Sequence, residues 1–115
     1  MSRPEIEFTS YKDFPKVEIP NSTKGRTQRV ISGEPGKGDF MRIAEFEPGV
    51  DTSAEGVQSH DYWEELYIIE GSVIDLTLDQ EFTAGMVASR PPGMPHGPWY
   101  SPNGCVMLEI VYYKK

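Results

Sequence analysis

The stretch Gln58-Ser59-His60-Asp61-Tyr62-Trp63-Glu64-Glu65-Leu66-Tyr67-Ile68-Ile69-Glu70-Gly71 decides how the rest of the chain is read. It joins one of the only two histidines to a carboxylate, then runs into an apolar strand that a glycine closes. Side chains two apart on a strand share a face. Gln58 and His60 therefore point one way, and Glu64, Leu66 and Ile68 point together. With Asp61-Tyr62-Trp63 as a hairpin turn and Glu64 opening the return strand, Gln58, His60 and Glu64 converge on one interior. The second histidine ends Pro91-Pro92-Gly93-Met94-Pro95-His96 and is expected to reach in from a third strand. Neutral imidazole is the commonest side-chain metal ligand. Two histidines, each next to turn formers and near a carboxylate, point to a site.

Outward from this stretch the chain reads as short strands between turn signals. Thr27 to Ile31 is a strand stopped by Ser32-Gly33-Glu34-Pro35-Gly36. Phe40 to Phe46 alternates, with Phe40, Arg42, Ala44 and Phe46 on one face, before Pro48-Gly49. A polar loop covers 50–57. Leu66 to Glu70, Ser72 to Leu78, Glu81 to Thr83, Met86 to Ser89 and Val106 to Tyr113 complete the set, with a tight turn expected at Asp79-Gln80. No segment has a helical repeat with caps. Seven to ten short strands mean a sandwich or barrel, and a closed jelly roll protects its edges best. The expected fold is all-β, a single-domain jelly-roll barrel over 25–115. Residues 1–24 form an N-terminal arm or edge strand, with Phe14-Pro15 and Ile19-Pro20 limiting its pairing. Tyr112-Tyr113-Lys114-Lys115 reads as a strand end.

The bulk properties narrow the function. The chain has 115 residues, 11 glycines and 10 prolines. That length holds one core, and that many turn formers favours β-structure. A net charge of -7 argues against nucleic acid or an anionic membrane as partner, because both need a basic patch. Cys105 is the only cysteine, so no intrachain disulfide forms. It reads as a small buried residue. With neither a signal-like N-terminus nor an apolar run of membrane-spanning length, a cytoplasmic location is expected.

The nitrogen and oxygen ligand set of Gln58, His60, Glu64 and His96 suits one divalent transition metal such as Fe, Mn, Ni or Zn. Lacking a thiolate, it does not suit a closed structural zinc site. Two histidines and one carboxylate with open positions is also the ligand type of non-haem Fe(II) oxygenases. Arg42 lies on a mostly apolar face. Either it lines a pocket and pairs with an anionic or carbonyl substrate, or that face is outside. Trp63 reads either as an aromatic wall of the pocket or as core, the core reading being at least as strong. Tyr100 shares parity with His96 if the chain stays extended, which makes it a pocket candidate.

These residues carry a family resemblance. The segment 49–71 resembles the first cupin motif, with His60, Glu64 and Gly71 at the family's spacing. The segment 85–100 resembles the second, through Gly85, Pro91, Gly93 and His96. Gln58 stands where the first motif has its first histidine, and Tyr100 where the second has asparagine. A neutral amide is a weaker ligand than imidazole. The chain is most similar to the subgroup holding the cupin half of zinc anti-sigma factors and acetylacetone dioxygenase-like enzymes. The resemblance implies a cupin-type double-stranded β-helix. It also implies a metal-dependent enzyme for a small carbonyl, enol or organic acid, with O2-dependent C–C cleavage as the expected chemistry. Arg42 and Tyr100 would orient substrate or exchange protons beside Glu64. Isomerase or lyase chemistry and a non-catalytic ligand-binding barrel are the alternatives. A homodimer, exchanging the arm, is also implied.

Overall fold

The computed structural model describes residues 4–113. The arm's first three residues and the expected strand end at Lys114-Lys115 lie outside the described residues. Among the described residues nine strands form: β1 Val17–Glu18, β2 Arg26–Gly33, β3 Phe40–Phe46, β4 Val50–Asp51, β5 Trp63–Asp75, β6 Gln80–Thr83, β7 Val87–Arg90, β8 Trp99–Ser101 and β9 Cys105–Tyr112. The order β1-β2-β3-β9-β5-β8-β4 runs along one curled sheet, with β6 and β7 also pairing β5. Every pairing is antiparallel. The result is the expected all-β jelly-roll barrel. Among the described residues no helix is long and apolar enough to cross a membrane.

β5 is the strand that closes the barrel. Its first half pairs with β9 and β7, and its second half with β6 and β8. The expected break at Gly71 is instead a bend within one strand of 13 residues. The ladder to β9 slips between Ile68 and Glu70, the mark of a bulge. Gly71 has φ 77°, where a side chain is strained. A Cβ there would stand 2.1 Å from the Gly104 carbonyl oxygen. Glycine therefore lets two backbones approach and the strand turn from one sheet into the other.

Other boundaries differ for local reasons. Trp63, expected in a turn, opens β5, and the turn is the preceding loop. The expected strand from Ser72 to Leu78 ends at Asp75, whose Oδ1 accepts from the Thr77 and Leu78 amides. The side chain thus competes with the ladder and starts the turn early. Within the expected polar loop, Val50–Asp51 pairs with β8, because Val50 is apolar and buried. Trp99–Ser101 is a strand that the preceding prolines and glycines hid.

On β3 the expected inward face is buried, and Ile43 on the opposite face is buried as well. Phe40, Ala44 and Phe46 face the interior and are buried. The core joins Ala44, Phe46, Val50, Ile68, Val73, Cys105 and Met107, drawn from both halves of the barrel. The arm lies along its own barrel: β1 pairs with β2, and Arg29 donates to the Lys12 and Phe14 carbonyls.

Two glycines separate strain from crowding. Gly36 has φ 86° and open space around its Cβ position. Gly36→Ala is expected to cost about 1 kcal/mol, and Gly71→Ala roughly 3 kcal/mol or more. Urea denaturation of both variants measures the gap, and equal costs would contradict the close-approach reading.

Candidate metal centre

His60, Glu64 and His96 each offer a ligand atom, all within 4.8 Å of one another. Three segments bring them together. Glu64 points inward from the start of β5 and is buried. His96 is held by a two-residue bridge to Gln58, with each amide donating to the other's carbonyl at 2.8 Å. His60 lies in the loop between Gln58 and β5, and its carbonyl accepts from the Gly93 amide at 2.7 Å. Gln58 and His96 are thus bridge residues beside the barrel strands, not members of long strands as the alternation implied. The His60 ring stacks on Tyr62 at 4.6 Å and lies 5.0 Å from the His96 ring.

The His96 ring is the informative member. Both of its nitrogens are buried and neither has a hydrogen-bond partner. Buried polar atoms are normally satisfied, so this imidazole keeps a free lone pair available to a ligand in the cavity. Burial, then Arg90 and the His60 ring, push its pKa down to about 4. It is neutral at pH 7, so its 3.8 Å approach to Glu64 is not an ion pair. Burial also lowers His60. Glu64 is pushed up to about 7 by burial and the nearby Glu109 charge, against the pull of Arg90 and Arg42. Neutral imidazole lone pairs beside a carboxylate that ionises near 7 fit a divalent cation. Gln58 lines the same cavity. Its amide nitrogen donates to the Glu55 carbonyl at 2.7 Å, leaving its side-chain oxygen as the end able to act as a ligand.

The site opens into a cavity of about 360 Å³, at the small end of ligand pockets. Arg42 lines it, as one reading of its face required, but its donors are engaged. Its Nε and Nη2 reach Glu109 Oε1 at 2.9 and 2.8 Å, and Nη1 reaches Gln28 Oε1 at 2.7 Å. Tyr100 is not among the lining residues, whereas Trp99 is. The parity argument needed an extended chain from His96, and Gly97 takes φ 75°. Tyr62 is the tyrosine that lines the cavity, and burial, with Glu64 and Glu109, raises its pKa so that the phenol stays protonated.

Glu109 is the residue that sequence reasoning missed. It is 4% exposed and sits opposite Arg42 in the β3–β9 register. Burial works against its charge, but Arg42 and Arg26 outweigh burial and hold it below the usual carboxylate range. The signal was present: Glu109 is the one charge in the apolar run from Val106 to Tyr113.

No protein-family model and no curated sequence matches the chain. Solved structures do. One from Shewanella frigidimarina, described as an RmlC-like cupin, is 19% identical, with 100% of this chain and 96% of that one covered at a TM-score of 0.71. The fold is that of a cupin. A candidate acetylacetone dioxygenase from Methylibium petroleiphilum is 14% identical over 100% of this chain and 85% of its own, at 0.72. The polyketide cyclase RemF from Streptomyces resistomycificus is 21% identical over 93% and 79%, at 0.71. Within this fold the segments 49–71 and 85–100 supply the histidines and the glutamate of one cluster.

Two outcomes follow for the charged interior. Below about pH 7 a proton on Glu64 competes with a cation, so Zn(II) affinity is expected to rise from pH 6 to pH 8 and to level off once Glu64 is ionised. Calorimetry in buffers of different ionisation enthalpy measures the released proton, and affinity flat across this range would contradict the Glu64 contribution. Separately, Glu109→Leu strands the Arg42 charge and is expected to cost about 3–5 kcal/mol, whereas Arg42→Met/Glu109→Leu together cost far less. Denaturant melts of the three proteins check this.

Proposed function

We propose that this chain is a metal-dependent cupin enzyme acting on a small carbonyl, enol or organic acid, with His60, Glu64 and His96 as metal ligands and Gln58 as a fourth, weaker one. The observation that carries the reading is the His96 ring, whose two buried nitrogens lack partners within 4.8 Å of His60 and Glu64 ligand atoms. An ion bound there would supply a Lewis-acid or redox centre within the cavity. Fe, Mn, Ni and Zn all accept this donor set.

The chain's own groups define what happens around that centre. Apolar Leu66, Ile68, Val73 and Met107 line the cavity and exclude water. Tyr62, protonated and stacked on His60, presents a hydroxyl to a substrate oxygen. Arg90 lies 3.6 Å from Glu64 and 5.0 Å from the Trp99 ring, and it fixes the carboxylate's position. Arg42 is a positioning residue: engaged by Glu109 and Gln28, it stiffens the wall. Tyr100, outside the cavity lining, has no part in this reading.

O2-dependent C–C cleavage is the preferred chemistry. It is supported by the two-histidine, one-carboxylate donor set and by the candidate dioxygenase among proteins of this fold. Isomerase or lyase chemistry at the same centre is the second reading, favoured by the polyketide cyclase of the same fold.

Metal analysis of the purified protein, followed by reconstitution, tests the centre. Saturable binding at low micromolar concentration, lost in His96→Ala, is expected. Absence of binding below high micromolar concentration refutes the proposal. An oxygen electrode with neutral and anionic 1,3-dicarbonyls then decides the chemistry: consumption selects the dioxygenase, and substrate turnover without it selects the second reading.

A further inference from the structure

The charged groups lining the cavity include three arginines and three glutamates: Arg26, Arg42 and Arg90 with Glu55, Glu64 and Glu109. Two pairs close within 4 Å, Arg42 with Glu109 and Arg90 with Glu64. Glu55 is engaged otherwise. Its Oε2 accepts from the Thr23 amide, the Thr23 hydroxyl and the Ser22 hydroxyl. Arg26 is what remains. Its side chain makes no ion pair and no hydrogen bond with any described residue, and its Nε is buried without a partner.

Its position is nonetheless fixed. On β2, Arg26 and Gln28 share the inward face by alternation, and Gln28 is tied to Arg42. Arg26 stands opposite Phe46 in the β2–β3 register, and its guanidinium carbon lies 4.0 Å from the centre of the Phe46 ring. The ring supports the plane of the cation and leaves the fork of N–H donors for other partners. Burial pushes the group below its ordinary pKa, and the charge of Glu109 acts against that shift from a distance, so a half-buried cation is held with no carboxylate in direct contact. Such a charge is costly unless something completes it. A planar fork of donors matches a carboxylate in two-point contact.

We propose that Arg26 anchors a carboxylate of the substrate, so that the cavity takes small anionic oxo or enol acids in preference to neutral diketones. This deepens the metal-dependent reading of the same cavity and rests on it for the chemistry. The binding step itself needs only Arg26, the Phe46 platform and the small volume. Arg42 has the sequence signature of such an anchor, but Glu109 and Gln28 already take its donors.

The test compares acetoacetate with methyl acetoacetate, which share the dicarbonyl unit and differ in charge. Calorimetric titrations are run on metal-free and on Zn(II)-loaded protein, for the wild type, Arg26→Gln and Arg26→Lys. Circular dichroism and thermal melts confirm that each variant is folded. The metal-free wild type is expected to bind the anion roughly 10-fold or more tightly than the ester. Arg26→Gln erases that ratio and Arg26→Lys keeps part of it. Equal binding of anion and ester, or no detectable binding of either, overturns the proposal. So does a preference seen only with Zn(II) and untouched by Arg26→Gln, which assigns the anion to the ion instead. Failure of the metal reading shows separately, as absent Zn(II) binding with the Arg26-dependent ratio intact. Should Arg26→Gln not fold, a reduced ratio in a folded Arg26→Lys supports the bidentate contact, and an unchanged ratio there overturns it.

Discussion

At the bend of β5 the Ser72 amide donates to the Gly104 carbonyl at 3.1 Å, and the space between the two backbones excludes even a methyl group. Everything downstream of that contact depends on it. Because the chain turns there without stopping, one strand carries Glu64 and Leu66 on its first half and Val73 and Asp75 on its second. The first half pairs with β9 and β7 and the second with β6 and β8, so one strand belongs to both halves of the barrel. A strand that ended at Gly71 would leave two sheets with no shared member to hold them in register.

Inside that enclosure, apolar and charged residues divide the space. Phe46, Ile68, Val73 and Met107 form a floor, and the arginine–glutamate pairs line the wall above it. Buried ion pairs contribute little to net stability. Their value here is positional: Arg42 and Glu109 fix each other, and Arg90 fixes Glu64. With those four charges engaged, the cavity-lining residues that keep buried, unpartnered side-chain atoms are His96 and Arg26. The unsatisfied groups, not the whole charged lining, mark where a ligand belongs.

The strands and the two-histidine, one-glutamate cluster were legible in the sequence because both are local. Strand alternation set the faces of Phe40 to Phe46, and motif spacing fixed His60, Glu64 and His96 relative to their turns. What the sequence withheld depends on register. Arg42 faces the interior, but only the pairing with Glu109 shows that its donors are spoken for. Arg26 lies one residue before the strand read from Thr27, and its alignment with Phe46 is a property of the β2–β3 ladder. Tyr100 gave way to Tyr62 because the backbone at Gly97 takes a conformation that two-residue periodicity does not anticipate.

Asp75 sits at the far end of β5 from Glu64. Its Oδ2 accepts from the Gly97 amide at 3.2 Å, while the Thr77 hydroxyl donates to the Gly97 carbonyl and the Leu76 amide to the Pro98 carbonyl. The residues following His96 are therefore clasped by the β5–β6 turn, just as His96 itself is clasped by Gln58. The imidazole is held from two sides, and one of those sides is a surface turn with no group in the cavity. Sequence change in the 76–79 turn, on the outside of the barrel, thus bears on how the His96 segment is held while leaving every cavity-lining residue in place.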